Sequence, residues 1–269
     1  MSDDESPFAR PYERLRWGYE ALKDFEAAID RHFETWPCRQ VIEIDPKVGE
    51  EVVKFVFEGG LPSDVHRHAN SAIEHIKNAF DQATWAASKV VSSTALRPNA
   101  TILFPWTDTE NGFWSRMAKK SNSIPNNLHD VIFRLKPYTT GQGCTLDDDI
   151  ARSLAHIANQ KHSVGLRPAL QIQSIMNHDV YIAVPEGSKG SFRITSPKWN
   201  AVKNEIEVMR GPPGSVRYLG NNAQLALYVS LDEPTPLRDM PFRRAADIFA
   251  AKAQTVIETL EREANAIKS

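Results

Sequence analysis

The sequence predicts an α+β protein: a helical N-terminal half carrying a small hairpin, an antiparallel sheet in the C-terminal half, and a long C-terminal helix. Two observations predict it. Apolar residues recur at three- and four-residue steps through most of the first 160 positions, and the period drops to two after residue 168. A third, the return of helical spacing from Pro241 to the end, closes the pattern. We read residues 1–269 as a single domain with a strand-rich subdomain at 168–232.

Taken in order, Leu15, Tyr19, Leu22, Phe25, Ile29 and Phe33 fall on one stripe, with Glu13, Lys23 and Asp30 on the other faces, so residues 12–35 form an amphipathic helix. Ile42 and Ile44 alternate with Glu43 and Asp45, and Val53, Phe55 and Phe57 alternate with Lys54 and Val56. Asp45-Pro46-Lys47-Val48-Gly49 between them makes a hairpin with a longer loop. Gly59-Gly60-Leu61-Pro62 breaks the strand, and Ser63 offers a cap. From Val65 to Val90 an unbroken apolar stripe marks a helix over 64–90. Shorter helices follow at 110–119, at 126–136 (ending before Pro137) and at 146–162. The last opens on Thr145-Leu146-Asp147-Asp148, a capping box with Asp in its fourth place. Strands are expected at 169–176, 179–184, 191–195, 204–209 and 224–231, and a helix at 241–267. The last helix is expected against the helical half, with the first helix as its partner.

Composition narrows the classes. Lys and Arg number 32 against 34 Asp and Glu, a net charge of −2, which lacks the basic excess of a protein that grips nucleic acid through its phosphates. Two cysteines, Cys38 and Cys144, make no disulfide framework. The acidic start lacks the basic, apolar pattern of a signal peptide, and no run approaches the roughly 18–20 apolar residues that span a bilayer. A cytoplasmic protein with no membrane contact is the expectation.

Motifs for chemistry are sparse. His66 and His68 point roughly 200° apart on a helix, and His68 and His75 stand roughly 10.5 Å apart along its axis, so neither pair chelates one metal. His68, His75 and Gln82 repeat every seven residues with Ala79 and Ala86 beside them. That pattern suits a hydrogen-bonded helix–helix seam, or self-association through the small-residue flank. Cys144 in Gly141-Gln142-Gly143-Cys144 has Asn159 and His162 on the following helix, but no nucleophile elbow or phosphate loop is present. Asp147-Asp148-Asp149 fits the positive end of a helix dipole. No motif calls for a cofactor or a metal.

The segment Ile73–Ala87 resembles a helix written LHNLRSALDHLAYAL in a widespread family of uncharacterised bacterial proteins. Phe104-Pro105, Lys136-Pro137-Tyr138 and Gln160-Lys161-His162 follow in the order of that family's F-P, Q-P-Y and D-K-H motifs, and the resemblance covers residues 10–166. Within the family helix an Arg and a later His are similar to the signature of HEPN-type RNA-cleaving domains. Here those positions hold Lys77 and Gln82, which keep one charge but no proton shuttle. The resemblance therefore implies a candidate polar cluster of His75, Lys77, Asp81, Gln82, Tyr138, Lys161 and His162. The absence of any intact catalytic motif, with the altered Lys77 and Gln82 positions, leads to the expectation of a non-catalytic binding or interaction protein of a bacterial cell or mobile element, with an unknown protein partner or a homo-oligomer. The alternative is an RNA-directed enzyme related to HEPN nucleases, in which His75 or His162 replaces the lost histidine. Each residue also has an ordinary role: Lys77 and Asp81 as an i, i+4 ion pair, Lys161-His162 at a helix C-terminus, Tyr138 as a loop anchor. The segments around 74–82, 136–138 and 160–162 are expected to meet.

Overall fold

A computed structural model describes residues 6–35, 38–92, 102–119, 123–159, 165–174, 180–182, 193–200, 202–214, 216–219, 224–232 and 236–269. It is α+β, and the chain divides into two compact units. A helical unit takes Met1–Ala27, Ser63–Gly165 and Leu231–Ser269; a strand-rich unit takes Ala28–Pro62 and Leu166–Ser230.

In the helical unit, α1 (Ala9–Glu34, of which the residues to Ala27 belong here) is followed by α2 (Ser63–Val91), α3 (Glu110–Met117), a 3-10 turn at Asn126–Leu128 running into α4 (His129–Arg134), α5 (Leu146–Asn159) and α6 (Phe242–Lys268). The most extensive helix contact joins α2 to α6. Its composition explains it. Both stripes mix alanine with large apolar residues, Ala79, Phe80, Ala83 and Ala87 on one and Ala246, Phe249, Ala250 and Ala253 on the other, all buried. Small side chains bring the backbones close while each buried Phe contributes about 1.5–3 kcal/mol. Phe80 centres an aromatic cluster, with ring centroids 5.2 Å from Phe104, 4.9 Å from Trp106 and 5.2 Å from Phe249. The last helix thus packs chiefly on α2. It also meets α1, through Phe25 against Phe242 at 4.6 Å and the Tyr12 hydroxyl donating to Glu261 at 2.9 Å. Gly18 lets α1 approach α2: a Cβ there would stand 2.7 Å from Cγ1 of Ile76.

Ala79 and Ala86 have no exposed surface. The small-residue flank, read as a close helix–helix approach or a surface for self-association, is covered by the chain's own fold.

Two loops shape this unit further. Thr109 caps α3 by accepting the Gly112 N–H at 3.0 Å. Thr107 donates its N–H to Pro137 O at 2.9 Å and Thr140 its N–H to Asp108 O at 3.2 Å, sewing residues 107–109 to 137–140. At α5 the capping box forms as its sequence suggests. Asp148 Oδ2 accepts the Thr145 N–H and hydroxyl, both at 2.9 Å, and Lys252 of α6 reaches Asp148 Oδ1 at 2.6 Å.

In the strand-rich unit, β1 (Cys38–Ile44) and β2 (Glu51–Phe57) form the expected hairpin. The hairpin was expected with the helical half, yet β2 pairs antiparallel with β6 (Glu205–Gly211), giving a sheet ordered β1-β2-β6-β5 with β5 at Arg193–Asn200. Two further pairs join β3 (Leu166–Ser174) to β8 (Gln224–Leu231) and β4 (Val180–Ile182) to β7 (Val216–Leu219). β7 escapes the sequence reading because four residues carry too little alternation to register. β5 runs past Pro197, where the period breaks. It is the last strand in the order, and its register with β6 shifts between Ile194 and Lys198, which accommodates a proline. The inner position of β2 makes Lys54 a buried cation. It lies diagonally opposite Glu43 on β1 and Glu205 on β6, bonding the first and donating to the second at 3.1 Å. Burial opposes its charge, but the two carboxylates prevail and hold its pKa above the ordinary lysine value.

Candidate anion-binding cleft

On a helix, side chains advance by about 100° per residue, so His75 and Gln82 share one face of α2 while Lys77 and Asp81 share another, roughly 200° from His75 to Lys77. The structure separates the sequence's candidate residues along that line.

The first face meets α1. His68 Nδ1 stands 3.9 Å from Asp24 Oδ2. The His75 ring packs edge-on against Trp17 at 5.6 Å, and its Nδ1 lies 3.4 Å from an Arg14 nitrogen. Burial, with the Arg14 charge behind it, lowers the His75 pKa, so the imidazole is neutral and Nδ1 accepts from the guanidinium. Gln82 completes the seam once its amide is oriented to suit its neighbours: nitrogen to Arg10 O and oxygen to Arg14 Nε, both 3.2 Å. These residues tie two helices together.

The second face opens onto a cleft of about 180 Å³ lined by Lys77 and Asp81 of α2, Leu103, Phe104 and Trp106 of the following segment, Arg116 of α3, and Arg152, His156 and Asn159 of α5. Asp81, 8% exposed, divides its carboxylate: Oδ2 takes the Lys77 ammonium at 2.6 Å and Oδ1 accepts the Phe104 N–H at 3.0 Å. Burial dominates its titration and raises its pKa against the pull of Lys77. The two guanidiniums are held by backbone carbonyls. Arg116 donates to Trp106 O at 3.2 Å; Arg152 donates to Thr107 O at 3.3 Å and to Asp108 Oδ1 at 3.0 Å. Among the described residues each keeps further N–H groups uncommitted, since a guanidinium carries several donors in one plane. Trp106 is 6% exposed, and its indole nitrogen is the one buried side-chain polar atom without a hydrogen-bond partner among the described residues.

Tyr138 lies apart from this lining. It is buried, with its ring 5.5 Å from Phe133 and close under Gly141, while its carbonyl accepts the Cys144 thiol at 3.6 Å. Burial pushes that thiol up, so it is no ready nucleophile. Lys161 and His162 lie outside the described residues, as does Gln160; Asn159, the last described residue of α5, reaches the cleft. Among the described residues no three His, Cys, Asp or Glu side chains gather as metal ligands. No helix among them is long and apolar enough to cross a membrane.

No family model, no curated protein and no solved structure matches this chain. The cleft is therefore read from its own atoms. Three cations stand against one inward carboxylate that Lys77 already neutralises. Such a site favours a small anion held by several N–H groups. The sequence reading missed Arg116, Arg152, His156 and Trp106, and named Asn159 only beside Cys144. A signal existed for three of them: Arg152, His156 and Asn159 at i, i+4 and i+7 line one face of α5.

Proposed function

We propose that this protein is a non-catalytic binding protein whose α2–α3–α5 cleft captures an anionic ligand. The bacterial or mobile-element setting follows the resemblance of the α2 segment. The observation that carries the reading is the convergence of Lys77, Arg116 and Arg152 on one small cleft, with each guanidinium bonded to a backbone carbonyl. Arg152, its side chain 15% exposed, loses little freedom on binding, which favours recognition. Asp81 is engaged by Lys77 and Phe104, which fits capture better than turnover.

Calorimetric titration with inorganic phosphate tests it. Binding to wild type, weakened about tenfold or more in Arg116→Gln/Arg152→Gln, with the ligand recovered unchanged, supports the reading. No binding, or equal binding by the double variant, overturns it. An RNA-directed enzyme is the second reading, favoured by His156 sharing the cleft with Lys77 and two arginines. Cleavage of total RNA that is lost in Lys77→Ala and His156→Ala would support it; intact RNA would dismiss it.

A further inference from the structure

The sheet ordered β1-β2-β6-β5 has two edges, and they differ. β5 carries Pro197 and a register shift between Ile194 and Lys198, devices that keep a strand edge from pairing further. β1 carries neither. Its residues, Cys38–Ile44, include no proline or glycine and pair with β2 without a break in register. Among the described residues no strand lies against its other side. That side presents backbone N–H and C=O groups to an incoming strand, and Ile44 beside them is 59% exposed.

The side chains of β1 decide which strand fits. Arg39, Val41 and Glu43 share one face of the sheet, because side chains alternate along a strand. Arg39 is exposed, and Glu43, though bonded to Lys54, keeps its side chain 47% exposed. The Lys54 bond lowers the Glu43 pKa, so the carboxylate is charged at neutral pH. Opposite charges thus stand two positions to either side of Val41. Hydrogen-bonded and non-hydrogen-bonded positions alternate along an antiparallel pair, so a two-fold axis through such a pair requires one residue to face its own copy. When that residue is Val41, Arg39 of each chain lies opposite Glu43 of the other, and Ile44 lies opposite Cys38. No other antiparallel register sets Arg39 against Glu43. A parallel pair in register would oppose Arg39 to Arg39 and Glu43 to Glu43, and like charges directly opposite repel. The edge is complementary to itself in one orientation and one register.

We propose that two copies of this chain associate through β1, antiparallel about Val41, joining their four-stranded sheets into one continuous sheet. A strand pair of this length is small beside a standard interface of about 1,600 Å², so a weak dimer that dissociates at about 10–100 µM is expected. Sedimentation equilibrium of the full chain across about 1–300 µM brackets that range. Arg39→Glu and Glu43→Arg each turn two attractions into two repulsions, and each is expected to weaken the dimer about tenfold or more. Mixed in equal amounts the two variants associate again, because each then meets the charge it lacks. Glu43 also serves Lys54, so circular dichroism checks the fold of each variant. If Glu43→Arg does not fold, Glu43→Gln replaces it, and its mixture with Arg39→Glu is still expected to bind tighter than Arg39→Glu alone. A wild-type chain that stays monomeric across the range overturns the proposal. So does a dimer that Arg39→Glu leaves unchanged, or a mixture no tighter than Arg39→Glu alone.

Discussion

Asp81 accepts the backbone N–H of Phe104 at 3.0 Å, so a carboxylate on α2 holds the start of the segment that walls the cleft. Its other oxygen holds Lys77. Asp81→Ala leaves a buried N–H and a mostly buried ammonium unanswered at once. Such losses cost about 1–3 kcal/mol for the donor and more for a severed buried pair. A fall in urea-unfolding stability of about 2–4 kcal/mol is expected, with Asp81→Asn retaining the Phe104 bond and losing about half as much. Equal stability of all three proteins would show that this carboxylate positions nothing.

Asp148 ties α5 to α6. Burial works against its charge, yet Lys252 and the Thr145 donors prevail and lower its pKa below the ordinary 3.8. A lowered carboxylate pKa means the unfolded state binds the proton more readily. The contribution to stability is full above the ordinary value and is lost as pH falls through the folded one. Wild type should exceed Asp148→Asn in thermal midpoint at neutral pH, and the gap should close as pH falls below 3.8. A gap that persists undiminished in acid contradicts the assignment.

His75 runs the other way in charge and the same way in pH. Burial and Arg14 lower its pKa below 6.5, so the folded chain holds it neutral. The stability it lends is complete above 6.5 and declines as pH falls from there, because the unfolded histidine then takes a proton first. Its NMR titration midpoint should lie below 6.5 and move up in Arg14→Gln. A midpoint above the ordinary value would mean that the ring is charged at the seam and that Arg14 does not donate to it.

What could be read from the sequence follows the range of the interactions. α2 and α6 announce themselves through apolar periods of more than twenty residues, and the Thr145–Asp148 box is local. The partner of the β1–β2 hairpin is not local: Val53 meets Met209 across the chain, and nothing near residue 53 encodes it. The same holds for the cleft. Lys77 and Asp81 were visible as a pair, but Arg116 and Arg152 reach them only because residues 104–109 turn back over α2 and are sewn to Pro137 and Thr140. Helix arithmetic separates His75 and Gln82 from Lys77 and Asp81, and the structure gives the two sets different neighbours.

The side-chain N–H groups of Arg116 and Arg152 test the central claim most directly, since both arginines line the cleft. In a ¹⁵N–¹H spectrum of the full chain their Nε–H cross-peaks are identified by their disappearance in Arg116→Gln and Arg152→Gln. Saturating phosphate is expected to move both peaks downfield, the mark of newly formed hydrogen bonds, while the other arginine peaks stay nearly still. Peaks that hold their positions at saturating phosphate would contradict the account, because the cleft would then carry its donors without using them on an anion.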